Sequence, residues 1–255
     1  MHEREKILNL PESISALLIV MVAIQAFAAF GPLNLVYGFF ETFAFVPLRL
    51  SYLLAPQRVL ASLGPNALDG SGGAQIAAML VAGPLAYITP LTYAFLHGGW
   101  THLAINGLTL TAFGAPVARR LGAARFLLFF AACAIAGALT HFALHLLDAT
   151  PVVGASAAIS GTMAAIVRFA FNPGARPGEY GGLDGREAQT ASLSTLGENK
   201  QAMFFLVVWF GVNVLLGVFP QAAGSTESIA WEAHMGGFLF GLLTFGAFDH
   251  WARRV

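Results

Sequence analysis

Long apolar stretches alternate with short polar ones along this chain, and the apolar stretches are as long as membrane-crossing helices. Ile14 to Phe30 is apolar except for Ser15 and Gln25. Similar runs cover Trp100 to Ala118, Phe126 to Leu147, Gly154 to Phe171, Gln201 to Phe219 and Ile229 to Phe248. A rise of ~1.5 Å per residue makes about 20 residues enough to cross a hydrocarbon core of ~30 Å. The pattern therefore predicts an all-α protein with six transmembrane helices. Residues 32–96 do not fit it. They are apolar but broken by Pro32, Pro47, Pro56, Pro65, Pro84 and Pro90, and they carry Arg49, Arg58 and Asp69. Proline removes a backbone donor and stops helices, so short interfacial helices and turns are expected in this long first loop. Ala74 to Tyr87 within it reads as a re-entrant or seventh element, and the positive-inside charge bias of the chain favours a piece that does not span. Residues 172–200 are glycine-rich and polar, and read as a flexible solvent loop.

Composition strengthens the membrane reading. The chain of 255 residues is 57% hydrophobic and 10% charged. Soluble domains hold about 45–50% apolar and about 25% charged residues, so this chain could not cover a water-facing surface. Net charge is zero, with no basic patch, which argues against a nucleic-acid partner. The single cysteine, Cys133, can form no internal disulfide and has no CxxC partner for a metal. The first apolar run exceeds the ~7–15-residue core of a signal peptide and reads as a retained span. With six spans and a cytoplasmic N-terminus, Arg4, Lys6, Arg119, Arg120, Arg125, Arg168, Arg176, Arg186, Lys200, Arg253 and Arg254 all fall inside. Only Arg49 and Arg58 fall outside, as the positive-inside rule expects. Residues 1–12 then form a cytoplasmic segment, 13–249 one membrane domain and 250–255 a cytoplasmic tail. The sequence does not set the oligomeric state.

Polar groups inside spans are expensive, and three sets stand out. The first is His97, His102 and Asn106; the last two are four apart and share a helix face. The second is Gly154-Ala155-Ser156-Ala157-Ala158-Ile159-Ser160-Gly161, which sets a hydroxyl near a helix start, where free backbone N–H groups can stabilise an oxyanion. The third is His234, followed by Gly237 and Gly241, a GxxxG face that admits a neighbouring backbone. Each set also has a structural reading: interhelical hydrogen bonding for the histidines and asparagine, tight packing for the small residues. Counted from the inner charged ends at ~1.5 Å per residue, Asn106, Ser156 and His234 lie at similar depths of about 20, 18 and 22 Å. A serine and an imidazole at one depth suit a nucleophile and a general base. Glu232 is the nearest acid but lies on another face of the helix from His234, so a Ser–His dyad is expected rather than a triad. His102, Asn106 and the Ser156 backbone N–H are candidate oxyanion donors, and the loop around Pro220 to Ser228 is a candidate cover.

These residues resemble the motifs of the rhomboid family of intramembrane serine proteases. The family's glycine-x-serine element is similar to Gly154-Ala155-Ser156, and its last-helix histidine with small residues to His234, Gly237 and Gly241. Its second-helix pattern is similar to His97, His102 and Asn106, with the preceding threonine at Thr92. The resemblance runs from about Tyr87 to Gly241. It implies a six-helix bundle that hydrolyses peptide bonds in or beside transmembrane segments of membrane proteins within the lipid bilayer. Ser156 would be the nucleophile, His234 the general base and acid, and His102 and Asn106 the oxyanion donors. It implies no metal or organic cofactor, and a bacterial inner membrane as the default location with both termini cytoplasmic.

Three positions depart from the family pattern. Ala157 replaces the usual glycine after the nucleophile and could crowd the oxyanion site. Ser160 replaces an aromatic that packs on the catalytic histidine, so Trp231 or Phe238 is expected to supply that packing. Ile88-Thr89 replaces a tryptophan-arginine pair of the first loop. Ser160 is also a rival nucleophile, disfavoured because no glycine stands two residues before it. A catalytically silent relative that binds or escorts membrane proteins would share the whole fold, and a small transporter or channel is a further alternative.

Overall fold

The computed structural model describes residues 10–64, 73, 80, 83–171, 190–219 and 230–254. Their regular structure is helical, with no strand among them and one isolated antiparallel bridge between Phe45 and Val152. Helix α1 spans Glu12–Phe30. Three short helices follow: α2 (Leu33–Phe43), α3 (Pro47–Leu54) and α4 (Pro56–Leu63). The last two each begin with a proline at a first-turn position, where its missing N–H costs nothing. Thus the proline-broken stretch does fold into short helices, and its remaining described part is a mixed 3-10 and α segment, Pro84–Ile88, Thr89–Thr92 and Tyr93–Phe95. Most of the Ala74 to Tyr87 piece lies outside the described residues.

Helix α5 (Trp100–Thr109) runs through a widened π turn, Leu110–Gly114, into α6 (Ala115–Leu121). Pro116 stands just after that turn. A proline ring clashes with the carbonyl four residues earlier, and widening the turn relieves this. Gly122, at φ 77°, reverses the chain into α7 (Ala123–Leu144). Helix α8 is Ser156–Phe169. The end of the 172–200 stretch is folded: Ala191 donates its N–H to the Arg168 carbonyl, and α9 (Leu193–Leu196) follows. Residues 172–189 lie outside the described residues. Asn199 caps α10 (Lys200–Val218) by accepting from the N–H groups of Gln201 and Ala202. Helix α11 is Trp231–Arg253, and the Pro220 to Ser228 cover lies outside the described residues.

The core lies where α7, α8 and α11 meet, with Phe126, Phe129, Phe130, Cys133 and Phe245 fully buried. Outward faces are equally apolar: Leu108 is 73% exposed, Phe204 72% and Leu243 62%. Apolar surface on this scale suits lipid rather than water. Two helices, α1 and α7, are long and apolar enough on their own to cross a membrane. The other runs fall short for local reasons. Helix α5 ends at a π turn, α8 begins only at Ser156, and α11 carries Glu232, His234 and Asp249.

At one end of the bundle, Arg120 donates from Nε to Asp249 Oδ1 at 2.6 Å and from Nη2 to Oδ2 at 2.9 Å, joining α6 to α11. Arg253 and Thr190 also reach this carboxylate, and the Arg120 guanidinium lies 4.7 Å from the Phe169 ring centroid. Bidentate pairing with added donors is what allows an ion pair to stay buried.

Candidate active site

The connection between α7 and α8 positions Ser156. Val152 exchanges backbone hydrogen bonds with Phe45, and the Gly154 N–H donates to the Tyr93 carbonyl at 3.0 Å. Tyr93 is itself fixed, its hydroxyl donating to the Ala134 carbonyl on α7 at 2.9 Å. Gly154 has φ 123°, a conformation that disfavours any other residue. A Cβ there would also lie 2.8 Å from His102 Cε1 and Nε2, and 3.7 Å from Asn106 Nδ2. Glycine at 154 therefore brings His102 and Asn106 against the backbone that leads into Ser156. Ser156 is the first residue of α8, where helical N–H groups lack carbonyl partners.

His234 arrives from α11. Its Nε2 lies 2.7 Å from Ser156 Oγ. Close helix contact makes this possible. A Cβ on Gly237 would strike the Ala157 carbonyl, and one on Gly241 would lie 2.7 Å from the Gly161 Cα. The two glycines four apart on α11 thus face two small residues four apart on α8, and His234 and Ser156 lie three residues and one residue before the first of these contacts. The methyl of Ala157 has room because the facing residue on α7 is Gly137, where a Cβ would lie 2.6 Å from the Ala157 Cβ.

The other imidazole nitrogen has a partner that the sequence reading missed. His234 Nδ1 lies 2.8 Å from Asn213 Oδ1 on α10. The Asn213 amide is oriented by its own Nδ2, which donates to the Trp209 carbonyl at 2.9 Å. Oδ1 is then an acceptor, so the proton resides on Nδ1 and Nε2 presents its lone pair to the Ser156 hydroxyl. This is the tautomer a general base requires. Asn213 is a polar residue in the fifth apolar run, and that signal, applied evenly, would have found it.

The remaining candidates are placed as follows. His97 is buried, 5.1 Å from His102 between ring centroids in a T-shaped arrangement. Asn106 is 5% exposed, and its Nδ2 has no hydrogen-bond acceptor among the described residues, so it is a spare donor beside Gly154. Thr92 donates to the Phe43 carbonyl at 2.8 Å, tying the first loop down. Ser160 is buried and donates to the Ser156 carbonyl at 2.8 Å. Glu232 faces away from the pair, with Oε1 3.0 Å from Nε2 of His145, the residue just after α7. Neither aromatic expected to pack on His234 is aimed there: Phe238 stacks on Trp209 at 4.0 Å, and Trp231 packs over Gly217. The imidazole is held instead by the Asn213 amide on one side and the Ser156 hydroxyl on the other.

Helices with lipid-suited outer faces, closed around a serine–imidazole contact, define a membrane-embedded class of helical protein. A family model, Rhomboid domain, matches residues 85–249, and the chain belongs to the rhomboid family. It is similar to the rhomboid protease GluP of Bacillus subtilis, 30% identical over 157 residues, which is 62% of this chain and 25% of GluP. It is also similar to YdcA of the same organism, provisionally named a rhomboid protease, 42% identical over 74 residues, 29% of this chain and 35% of YdcA. The match thus spans between a quarter and about a third of the length of these relatives.

Proposed function

We propose that this chain is an intramembrane serine endopeptidase, with six membrane-spanning helices and both termini on the cytoplasmic side of a bacterial inner membrane. Its substrates would be membrane proteins, cut in or next to a transmembrane segment. Ser156 is the nucleophile and His234 the general base and acid. The observation that carries this reading is the 2.7 Å contact between His234 Nε2 and Ser156 Oγ, with the tautomer set by Asn213 on the far side of the ring.

The chemistry follows from these atoms. Nε2 takes the hydroxyl proton as Oγ attacks the scissile carbonyl. Imidazolium forms with its Nδ1 proton held by the Asn213 oxygen, a neutral acceptor where soluble proteases use a carboxylate. The tetrahedral oxyanion receives hydrogen bonds from Asn106 Nδ2, from His102 and from the Ser156 backbone N–H. His234 then protonates the leaving amine, and water on the same base releases the acyl group. Gly237 and Gly241 hold the two reacting side chains in register, and His97 backs His102.

A fluorophosphonate probe and a transmembrane reporter substrate test this on the full chain in detergent. We expect a covalent adduct at Ser156 and cleavage of the reporter, both lost in Ser156→Ala and His234→Ala. A folded protein that neither labels nor cleaves any of several reporters would leave the silent-relative reading standing.

A further inference from the structure

A second cluster of reactive side chains lies on the opposite face of α11 from His234. Glu232 occupies the first turn of that helix, and His141 and His145 are four apart near the end of α7. One ligand atom from each of these three residues lies within 4.8 Å of the others. Glu232 Oε1 is 3.0 Å from His145 Nε2, and Glu232 Oε2 is 3.5 Å from His141 Nδ1. The two imidazoles stack with centroids 4.5 Å apart.

An ordinary ion pair between His145 and Glu232 leaves part of this arrangement unexplained. The His141 side chain is 7% exposed; its Nδ1 has only the Glu232 carboxylate at 3.5 Å, and its Nε2 has no hydrogen-bond partner among the described residues. A buried polar group without a partner is costly, and its persistence calls for one. The cluster is also held from behind. A Cβ on Gly137 would lie 2.6 Å from the Ala233 carbonyl, and one on Gly236 2.5 Å from the Thr140 Cβ, so α7 and α11 touch along the turn that carries the cluster. His145, 37% exposed at the side chain, is the open side.

We propose that His141, His145 and Glu232 form a site for a divalent transition metal of the zinc class, bound through two imidazoles and one carboxylate with a fourth position open to solvent. Two nitrogens and one oxygen suit zinc and its neighbours, whereas magnesium and calcium prefer all-oxygen sets. Tetrahedral ligation places donor atoms about 3.4 Å apart, and movement of the exposed His145 ring closes the difference. The metal clips the end of α7 to the start of α11, with its α11 ligand two residues before the one that contacts Ser156. It supplies nothing to the peptide-bond chemistry and does not depend on the protease reading.

The test uses the full chain in detergent, purified without a polyhistidine tag, stripped with chelator and titrated with Co2+ as a spectroscopic probe. We expect one equivalent bound with tetrahedral d–d absorption, displacement by Zn2+ and none by Mg2+. His145→Ala and Glu232→Gln should each weaken binding by at least about tenfold. Far-UV circular dichroism of metal-free His145→Ala should match the metal-free wild type, so that lost metal binding is not lost fold. Ser156→Ala should bind metal like the wild type, which separates this site from the proposed proteolysis. No stoichiometric binding, equal binding in the variants, or displacement by Mg2+ would overturn the proposal.

Discussion

Helix α11 has two neighbours that meet it in opposite ways. Against α8 the contact is backbone to backbone, through Gly237 on Ala157 and Gly241 on Gly161. Against α10 it is made by large rings and one amide: Trp209 stacks on Phe238, and one turn along each antiparallel helix Asn213 meets His234. The first interface fixes where the imidazole is relative to the hydroxyl. The second fixes which of its nitrogens holds the proton. Position tolerates almost no error because backbones cannot yield, whereas the protonation state depends on a single side chain that substitution removes cleanly.

The largest effect should come from breaking the first interface. Gly241→Leu forces a side chain into the Gly161 backbone, and overpacking of this kind costs about 1–3 kcal/mol or more. The helices must separate, and a misplacement of about 1 Å in a reacting pair can cost about a hundredfold in rate. We expect turnover of the reporter to fall at least about a hundredfold, with lower thermal stability in detergent. Gly241→Ala should fall between Leu and wild type; wild-type turnover in the leucine variant would mean that the glycine contact does not set the catalytic distance.

Asn213→Ala tests the second interface and should do less. The helices keep their Trp209–Phe238 stack, so the fold is retained, but Nδ1 loses its acceptor and the imidazole its preferred tautomer. Removing a carboxylate from a soluble triad's histidine costs about 10⁴ in kcat. A neutral amide stabilises imidazolium less, so its loss should cost less, roughly tenfold to a hundredfold, in kcat rather than KM. Asn213→Asp restores an acceptor and adds charge, and should recover turnover with an altered pH–rate profile. Unchanged kcat in Asn213→Ala would reduce the amide to packing.

The same contrast decides what was legible in the sequence. Ser156, His234, His102 and Asn106 are polar residues in apolar runs, and a GxxxG pair follows His234, so their similar depth could be read without coordinates, while their grouping into one site was what the family resemblance implied. Asn213 met the first criterion, but its direction depends on how α10 turns against α11. That rotation is set by Trp209 and Phe238, two rings among many in the chain. Glu232 could be excluded from the His234 face by helical geometry, yet its actual partners come from α7 and are far away in sequence. Helix ends were also beyond the pattern. The apolar run Gly154 to Phe171 yields a helix of 14 residues because Gly154 is left-handed and the chain becomes helical only at Ser156. An apolar run measures what avoids water, not what hydrogen-bonds as a helix.

The smallest effect is expected at Ser160, and it probes the α8 side of the comparison from within. Its hydroxyl donates back to the Ser156 carbonyl at 2.8 Å, one turn earlier on the same helix. Such a bond satisfies a buried hydroxyl but adds little, because that carbonyl already accepts from a helical N–H, and back-bonding of this kind tends to bend helices slightly. Ser160→Ala removes donor and hydroxyl together, so no buried polar atom is orphaned, and stability should change by less than about 1 kcal/mol. The fluorophosphonate labelling rate should stay within about threefold of wild type, since Ser156 Oγ and His234 Nε2 both remain in place. A Ser160→Ala protein that no longer labels, beside a Ser156→Ala protein that does, would move the nucleophile one turn along α8 and leave the Ser156–His234 contact as packing.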